Sequence, residues 1–372
     1  MTKVAFLQAS LPVGGAERLV ESLMLGLDPA RIATSAICLY EAGPIGESLA
    51  AAGRPVRSGL VRHRLDRHAG GALARAYTAL DADVAYVADS ALPLFWAGWR
   101  RRRARRPRLV VGFHSTGKRT DFLEHAVANA MAFPAADGFV ALAPSHRDYL
   151  CGALRLDPER FAVIGNGVDL ERFQPAADRD EARAALGFDA GERLVGIVAA
   201  LRPEKNHPLF LRMAARVGHR VPEARFLIAG DGPERRRLEE LARDLRLGER
   251  VRFLGPVADT PALYRGLDLA VLTSHPIVET FPMTLIEALA SGVPVVSTQV
   301  GSVADIVVPG ETGRLVSPGD EEALAAAVEA MLRDTPPVAR MRGAARADAE
   351  RRFDRRRMLA AYETLFRDVA TA

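Results

Sequence analysis

The sequence predicts an α/β protein made of two doubly wound parallel-sheet domains that face each other across a cleft. Short apolar runs alternate with helical patterns along nearly the whole chain, which is typical of parallel sheets covered by helices. At 372 residues the chain is too long for one ordinary core and long enough for two. A polar, proline-containing stretch at 173–180 separates two similar halves.

Composition indicates a soluble globular protein, with 49% hydrophobic and 26% charged residues and a net charge of +4. No apolar run approaches the length of about 18 residues that a transmembrane helix needs. The N-terminus enters a predicted strand directly, so no signal peptide is expected. Cys38 and Cys151 are far apart and lack metal-ligand spacing. They are expected to be buried thiols in a reducing cytoplasm.

The first half begins with a predicted strand at Val4–Ala9, a glycine pair at Gly14 and Gly15, and a helical pattern through Leu27. A glycine turn between a strand and a helix can accept a phosphate, because glycine permits close backbone approach and the helix dipole favours anions. The pattern is not the dinucleotide fingerprint. Further strands are predicted at Ser35–Tyr40, Val84–Ala88, Leu109–Phe113, Phe139–Leu142 and Ala162–Ile164.

The second half repeats the pattern. Strands are predicted at Leu194–Ala199, Phe226–Ala229, Val251–Leu254, Leu269–Thr273 and Val295–Ser297. Helices are predicted at His207–Val221, Pro233–Leu245, Thr260–Gly266, Met283–Ala290, Asp320–Arg333, Val338–Arg352 and Arg355–Val369. The predicted domains are 1–170 and 171–352, with a C-terminal helix within 353–372 that packs back on the first domain. Since parallel sheets bind ligands at the carboxyl ends of their strands, the site is expected in the cleft between the domains.

Two carboxylates stand out in the second half. Glu279 lies in the loop after a predicted strand, and Glu287 follows eight residues later on a helix that begins near Phe281. A rise of 1.5 Å per residue separates them by roughly 12 Å, which suits the two ends of an elongated ligand. The helix N-terminus between them offers free N–H groups to a phosphate. A solvated pair of glutamates is the alternative.

Several stretches together resemble the retaining glycosyltransferases of family 4, which have two Rossmann-like domains in the GT-B fold. They are Gly-Gly-Ala-Glu at 14–17, Asn-Gly-Val-Asp at 166–169, Leu-Arg-Pro-Glu-Lys-Asn at 201–206, Ala-Gly-Asp-Gly-Pro-Glu at 229–234, Phe-Leu-Gly-Pro-Val at 253–257 and the two glutamates. The match spans nearly the whole chain. The glutamate pair and the Arg-x-x-Lys element are its specific parts.

The resemblance implies a role for each matching residue in binding a nucleotide-diphosphate sugar. Arg202 and Lys205 would contact the phosphates without a metal ion, Glu287 the ribose hydroxyls and Glu279 a hydroxyl of the donor sugar. Fixed cations at the leaving diphosphate lower the barrier to its departure. The stretch from Phe281 through Pro282 and Met283 to Thr284 would add backbone contacts. Pro282 departs from the family, many of whose members have glycine there, and it donates no N–H.

Other positions carry weaker signals. His114 ends a predicted strand of the first domain, where the family has a histidine near the donor sugar, and it is not expected to act as a general base. Asp259 is a candidate contact for the nucleobase, and Gly14 and Gly15 are candidate donor contacts. Ser274, His275 and Ser302 lie in loops near the predicted site.

A competing motif covers residues 112–118, which fit most of a phosphate-binding P-loop. Arg119 stands where a P-loop has the serine or threonine that binds magnesium. An ATPase or kinase is therefore disfavoured. Lys118 is interpreted instead as a cation at the mouth of the cleft.

The sequence thus predicts a cytoplasmic, metal-independent, retaining hexosyl- or N-acetylhexosaminyltransferase with no cofactor, because the nucleotide sugar is its substrate. By the resemblance, the first domain would hold the acceptor and the second the donor. The expected role is cell-surface polysaccharide or glycolipid assembly. Two alternatives remain: a related sugar-nucleotide enzyme such as an epimerase, and a polyanion-binding protein. Nucleic acid is not expected as a partner.

The stretch at 92–108 holds both tryptophans of the chain and seven arginines. Tryptophan beside arginine is the composition of an interfacial anchor on anionic lipid. The predicted membrane contacts are Trp96, Trp99, Arg100, Arg101, Arg102 and Arg103. Such an anchor would place the enzyme at the inner membrane face and favour a lipid-linked acceptor. The alternative is an ordinary buried helix face with solvated arginines.

Overall fold

A computed structural model describes residues 1–372 except 13, 64–65, 67, 89, 115–121, 277–278 and 334–335. The chain divides into two compact units. Unit 1 comprises Met1–Asn166 and Arg356–Ala372, and unit 2 comprises Gly167–Arg355. The division after Asn166 lies slightly upstream of the predicted boundary after residue 170.

Unit 1 contains a seven-stranded sheet in the order β3-β2-β1-β4-β5-β6-β7. Its strands are β1 (Thr2–Gln8), β2 (Ile32–Cys38), β3 (Val56–Arg57), β4 (Val84–Ala88), β5 (Arg108–Gly112), β6 (Gly138–Ala141) and β7 (Phe161–Val163). Its helices are α1 (Gly15–Gly26), α2 (Gly43–Ala51), α3 (Ala69–Leu80), α4 (Ala91–Arg101), α5 (Phe122–Ala132) and α6 (Pro144–Leu154). The strand pairings in this sheet are parallel.

Unit 2 contains a six-stranded sheet in the order β10-β9-β8-β11-β12-β13, again with parallel pairings. Its strands are β8 (Arg193–Val198), β9 (Ala224–Ala229), β10 (Val251–Gly255), β11 (Leu269–Leu272), β12 (Val295–Thr298) and β13 (Gly313–Val316). Its helices are α7 (Arg179–Ala185), α8 (His207–Arg220), α9 (Arg235–Asp244), α10 (Thr260–Gly266), α11 (Met283–Ala290), α12 (Val303–Ile306), α13 (Glu321–Leu332) and α14 (Pro336–Arg352). The last helix, α15 (Arg355–Thr371), lies almost wholly in unit 1.

These two parallel-sheet α/β units confirm the predicted fold class. In each unit the strand order reverses beside the first strand: β1 lies between β2 and β4, and β8 lies between β9 and β11. Ligands of open α/β sheets bind at such switch points, outside the carboxyl ends of the strands. The loops that follow β8 and β11 are therefore where a ligand of unit 2 is expected.

Each unit has its own apolar core. In unit 1, one side of the sheet packs against α15 through Met358, Tyr362 and Phe366, which are at most 5% exposed. In unit 2, apolar side chains of β8, β9 and β11 pack with α8 and α13. Cys38 is buried, but Cys151 is only half-buried, contrary to the prediction that both thiols are buried.

Candidate functional site

The loop after β8 carries Arg202 and Lys205, and neighbouring loops hold it closely. Leu201 donates its N–H to the Asp231 carbonyl at 3.0 Å, and Glu234 donates to the Leu201 carbonyl at 3.0 Å. A side chain on Gly230 would collide with the Ala199 carbonyl, and its φ of +136° also requires glycine. The glycines that follow β9 therefore let two backbones meet and fix the course of the 199–205 loop.

Lys205 and Glu279 form an ion pair where the loops after β8 and β11 meet. The Lys205 Nζ lies 2.5 Å from Glu279 Oε1, and the Ser274 hydroxyl donates to the same oxygen at 2.6 Å. Glu279 is 5% exposed, so its charge is stabilised mainly by these two partners. The Thr273 hydroxyl also donates to the Lys205 carbonyl at 2.9 Å, which joins the end of β11 to the same loop.

Arg202 is arranged differently from Lys205. Its side chain is exposed, and among the described residues no acidic side chain forms an ion pair with it. The predicted phosphate clamp therefore consists of one cation already bound to a carboxylate and one that faces solvent. Both follow the switch-point strand β8 by only a few residues.

Glu287 lies in the middle of α11 and is half-buried. The hydroxyl of Tyr264, on α10, donates to Glu287 Oε2 at 3.3 Å and to the Thr284 carbonyl at 3.1 Å. Burial raises the pKa of Glu287 above its ordinary value of 4.5, although the Tyr264 hydroxyl and Arg172 act in the opposite direction. The neighbouring groups thus offset only part of the cost of burying the Glu287 charge, as expected for a side chain that binds a ligand hydroxyl.

The helix that carries Glu287 begins at Met283, with Pro282 as its N-cap residue and no side chain capping it. The free N–H groups of its first turn therefore lack a side-chain partner from the N-cap. Phe281 is buried and its ring packs against Phe353 at 5.9 Å, which anchors the loop, whereas Met283 and Thr284 are half-buried. Gly301 permits the close packing behind this loop, because a side chain there would overlap the Glu279 carbonyl.

Asp259 of unit 2 and the glycine pair of unit 1 each lie at the start of a helix. Asp259 is exposed and caps α10 by accepting the Ala262 N–H at 3.2 Å. Gly14 is the N-cap of α1 and Gly15 is its first residue, so the predicted phosphate-accepting turn does open a helix. The P-loop-like stretch from 115 onward, including Lys118, lies outside the described residues.

His114 follows β5, and its imidazole contacts a buried tyrosine. The Tyr86 hydroxyl lies 2.6 Å from His114 Nε2. Burial, aided by the nearby His146, lowers the pKa of His114 to about 4, so the ring is neutral near pH 7.

Three functional partners could not be found from the sequence: Tyr264 beside Glu287, Tyr86 beside His114, and Tyr362 beside Tyr86. Tyr86 and Tyr362 are 276 positions apart in the chain. No local pattern connects residues at such a separation, and their hydroxyls come into contact because α15 packs on the sheet of unit 1.

The tryptophan- and arginine-rich stretch is largely occupied by contacts within unit 1. The Trp96 and Trp99 rings pack edge to face at 5.7 Å, and both lie against Gly70 of α3. Arg101 makes two hydrogen bonds to Asp137, and the Arg103 guanidinium stacks over Trp99 at 4.1 Å. Four arginines of the stretch are nevertheless exposed, namely Arg102, Arg103, Arg105 and Arg106.

No three His, Cys, Asp or Glu side chains of the described residues cluster as a metal site. None of the described helices combines the length and apolar character needed to cross a bilayer.

Two family models match the chain. The model described as Glycosyltransferase Family 4 matches residues 13–172, and the model described as Glycosyl transferases group 1 matches residues 178–348. A lipopolysaccharide core biosynthesis mannosyltransferase of Rhizobium meliloti is 34% identical over 216 residues, covering 55% of this chain and 61% of that protein. A D-inositol 3-phosphate glycosyltransferase of Mycobacterium marinum is 36% identical over 206 residues, covering 53% of this chain and 42% of its own length. The chain thus spans about half the length of these curated relatives.

Solved structures match over nearly the whole chain. HepE of Anabaena in complex with UDP is 25% identical, with a TM-score of 0.85 and coverage of 98% of this chain and 99% of that one. HepE was also solved with UDP-glucose, and that structure matches with a TM-score of 0.82. A glycosyltransferase from Rickettsia africae, 18% identical, has the same fold with a TM-score of 0.84 and coverage of 99% and 98%. The fold is GT-B, and the matches together support a GT-B glycosyltransferase.

Proposed function

We propose that this GT-B chain is a retaining glycosyltransferase of family 4 that moves a hexosyl or N-acetylhexosaminyl unit from a nucleotide-diphosphate sugar to an acceptor hydroxyl. The observation that carries the proposal is the cluster of Lys205, Glu279 and Ser274 at the switch point of unit 2, with Glu287 on the helix that follows. Because HepE was solved with UDP and UDP-glucose, UDP-sugars are the first donors to test. The proposed pathway is the assembly of a cell-surface polysaccharide or glycolipid.

In the proposed mechanism, Arg202 and Lys205 bind the diphosphate and stabilise the charge that develops as the bond from the sugar C1 to the phosphate oxygen breaks. The acceptor oxygen bonds to C1 on the same face of the sugar, and its proton passes to an oxygen of the leaving diphosphate. Glu279, fixed by Lys205 and Ser274, accepts a hydrogen bond from a donor-sugar hydroxyl. Glu287 accepts hydrogen bonds from the ribose, and no metal ion or cofactor is required.

Donor hydrolysis tests this proposal without an acceptor. UDP-, GDP- and ADP-sugars are incubated with the protein, with and without EDTA, and nucleotide release is measured together with the anomer of the released sugar. We expect one nucleotide to be preferred, release to survive EDTA, and the sugar to keep its donor configuration. Inverted sugar contradicts retention, and activity restored only by added metal contradicts metal independence. A C2-epimerised sugar would instead identify an epimerase.

We also infer that unit 1 attaches reversibly to an anionic membrane on the cytoplasmic side. The exposed side chains of Arg102, Arg103, Arg105 and Arg106 support an electrostatic contact. Because the Trp96 and Trp99 rings pack within unit 1, insertion of tryptophan into the lipid contributes less to the membrane contact than the arginines do. Each basic residue near such a surface contributes about 1 kcal/mol.

Sedimentation with anionic liposomes tests the attachment. Binding should decrease as salt increases and should be lost when the four exposed arginines of unit 1 become glutamine. The matched control replaces four exposed arginines of unit 2, namely Arg216, Arg220, Arg236 and Arg237. Equal loss in both variants would mean that net charge, not this surface, attracts the lipid, and no binding at low salt would refute the attachment.

A further inference from the structure

A fully buried tyrosine contacts Glu287, the carboxylate that the proposed function assigns to the ribose hydroxyls. Tyr264 on α10 is 0% exposed, whereas Glu287 on α11 is half-buried. The Tyr264 hydroxyl donates to Glu287 Oε2 at 3.3 Å. In the part of the chain that the structure describes, no residue forms a hydrogen bond with the other oxygen, Oε1. One oxygen is thus held from inside the protein, while the other is left for a ligand.

The same hydroxyl also reaches the backbone of α11. It lies 3.1 Å from the carbonyl of Thr284, which precedes Glu287 by three residues. Both distances exceed the roughly 2.7–2.8 Å of a single O–H···O bond, as expected when two acceptors share one hydrogen. Burial raises the pKa of Tyr264 well above its ordinary value of 10, and the charge of Glu287 raises it further, so the hydroxyl keeps this hydrogen near pH 7. The hydroxyl therefore joins the Glu287 side chain to the backbone of its own helix.

The surroundings of Tyr264 are themselves tied to α11. The Tyr264 ring packs against Phe173, with 6.1 Å between the ring centroids. Arg346 of α14 donates to the carbonyls of Phe173 and Ala290, each at 2.7 Å. Ala290 is the last residue of α11, where a cation is favoured by the helix dipole. The ring behind Tyr264 and the helix that carries Glu287 are therefore held by one guanidinium group.

We propose that Tyr264 is a positioning residue, which fixes the carboxylate of Glu287 so that Oε1 can accept hydrogen bonds from the ribose hydroxyls of the donor. Tyr264 acts only through Glu287, because its own side chain is fully buried. The role toward ribose rests on the proposed function, whereas the hold of Tyr264 on Glu287 does not.

One further charge acts on Glu287. Arg172 is exposed, and its guanidinium lies 5.7 Å from the centre of the Phe173 ring. On α14, which packs against α11, Arg346 is directed to backbone carbonyls. Arg172 therefore acts on the carboxylate as an exposed charge that salt can screen, whereas the hydrogen bond from Tyr264 is formed in the buried interior.

Carbon-13 NMR of labelled glutamate carboxyl groups tests the hold of Tyr264 without a ligand. The signal of Glu287 is assigned by its loss in Glu287→Gln, and its pKa is measured by titration. Burial raises this pKa above 4.5, and the Tyr264 hydroxyl opposes that rise. The pKa of Glu287 should therefore rise further in Tyr264→Phe, which keeps the ring and loses the hydroxyl. An unchanged pKa in a folded Tyr264→Phe protein would overturn the proposal.

Arg172→Gln separates the hydrogen bond from the effect of nearby charge. This variant should also raise the pKa of Glu287, because Arg172 lowers it in the wild type. The rise should disappear in about 1 M salt, where exposed charges are screened within a few ångströms. The rise in Tyr264→Phe should persist in the same salt. If it disappears as well, Tyr264 does not act on Glu287 through a hydrogen bond.

Ligands with and without ribose hydroxyls test the role in binding. UDP and its 2′,3′-dideoxy analogue are titrated by calorimetry, or the corresponding pair for the nucleotide that the protein prefers. Tyr264→Phe should weaken UDP binding about fivefold, the scale of one hydrogen bond, and leave the affinity for the dideoxy analogue unchanged. Equal weakening of both ligands would show that Tyr264 merely supports the fold and would refute its role toward ribose.

Two more variants complete the test. Phe173→Leu loosens the packing behind Tyr264 and should cause a smaller change of the same sign in both measurements, which keeps the proposal testable if Tyr264→Phe fails to fold. Unchanged values in Phe173→Leu would contradict the proposal. The matched control is Thr312→Val, which removes another buried hydroxyl of unit 2, one that accepts the Val308 N–H at 2.9 Å. Thr312 precedes β13, at the opposite edge of the sheet from the candidate site, so both measurements should stay at wild-type values.

Failure of the proposed function would be distinguishable from failure of this inference. A wild-type protein that binds no nucleoside diphosphate would refute the proposed function and, with it, the role of Tyr264 toward ribose. The pKa of Glu287 in Tyr264→Phe would still decide whether Tyr264 holds the carboxylate.

Discussion

The ion pair between Lys205 and Glu279 joins two residues to which the sequence assigned separate ligands. Lys205 compensates a nearly buried carboxylate, and the Ser274 hydroxyl donates to the same carboxylate oxygen. Binding of a diphosphate beside Lys205 would add a second anion to the same cation. Under the proposed function, Lys205 would therefore have two electrostatic roles, of which the sequence indicated one.

This dual role predicts that Lys205→Ala loses both stability and turnover. Turnover should fall by about 10²–10³, the scale of one fixed electrostatic donor. The variant should also lose about 1–3 kcal/mol of unfolding free energy, less than for a fully buried pair because Lys205 is partly exposed. Steady-state kinetics and urea denaturation measure the two effects.

Two variants serve as controls for Lys205→Ala. Arg202→Ala should lower turnover and leave the unfolding free energy unchanged, because its side chain is exposed. Adding Glu279→Gln to Lys205→Ala removes the unpaired charge, so stability should return without activity. Near-normal turnover in a folded Lys205→Ala protein would exclude Lys205 from the phosphate clamp.

A second prediction concerns Glu287, whose pKa is raised by burial above 4.5. A carboxyl group with a raised folded-state pKa stabilises the protein below the unfolded value and loses that contribution as pH rises through the folded value. Glu287→Gln should therefore match the wild type in acid and be the more stable protein at neutral pH. Denaturation at a series of pH values measures this difference, and a less stable variant at neutral pH would contradict it.

The same variant separates stability from binding. Glu287→Gln should bind UDP about ten- to a hundredfold more weakly, because charged hydrogen bonds to the ribose are lost. Glu279→Gln releases Lys205 from its carboxylate and should bind UDP at least as tightly as the wild type. Calorimetry with UDP measures the affinity of both variants. An equal loss of UDP affinity in Glu287→Gln and Glu279→Gln would mean that the ribose and donor-sugar roles are misassigned.

How far the sequence predicts the site depends on how local each feature is. The spacing of Glu279 and Glu287, and the helix that carries the second, can be read from one short stretch. The helix predicted at Met283–Ala290 has these bounds in the structure, with Pro282 as its N-cap residue. Tyr264 could not be predicted, because its contact with Glu287 depends on how α10 packs beside α11.

At the scale of the elements, buried strands were the most predictable features. Continuous apolar runs predicted β4 with its observed bounds and most others to within a few residues. Two edge strands, β3 and β13, were missed. The first has only two residues, and the second begins with glycine and an exposed arginine, so neither has a clear apolar pattern.

A buried carboxylate ties several elements of unit 2 together and carries the third prediction. Asp268 Oδ1 accepts from Arg179 and Arg183 of α7 and from Arg342 of α14, at 2.6, 2.8 and 3.0 Å. Its Oδ2 accepts the Leu194 N–H of β8 at 2.8 Å. Asp268→Asn leaves these guanidinium groups without their shared anion and should cost about 3–5 kcal/mol of unfolding free energy.

Lowering the pH should cause part of the same loss of unfolding free energy, because protonation removes the charge of Asp268. Burial alone would raise the pKa of Asp268, but Arg179, the Leu194 N–H and Arg183 outweigh it and hold the pKa below 3.8. The stabilisation is therefore present above pH 3.8 and is lost as pH falls through the lower folded-state value. The control is Asp180→Asn, which removes an exposed partner of the same Arg183 and should cost at most about 1 kcal/mol. A loss no larger for Asp268→Asn than for this control would refute the role of Asp268.

At the scale of the whole molecule, the path of the chain was the least predictable feature. The sequence indicated two similar halves and a terminal helix that returns to the first. It could not show which side chains that helix buries, because Tyr362 and Phe366 meet residues of β1 and β4 from the opposite end of the chain. Each unit nevertheless has its own core, and the candidate donor residues of the 199–205 loop, α10 and α11 all lie in unit 2.

Removal of residues 356–372 should therefore affect the two units differently. Unit 1 loses Met358, Tyr362 and Phe366 from its core, together with the ion pair between Arg31 and Glu363. Deleting one buried aromatic side chain costs about 3–5 kcal/mol, so losing two should unfold unit 1 near room temperature. Unit 2 keeps its core and its candidate donor residues, and UDP should still raise its melting temperature. Differential scanning calorimetry with and without UDP measures the melting of each unit.

A control that removes only the exposed Thr371 and Ala372 should keep both units folded. If UDP no longer raises the melting temperature of unit 2 in the longer deletion, unit 2 needs unit 1 to bind nucleotide.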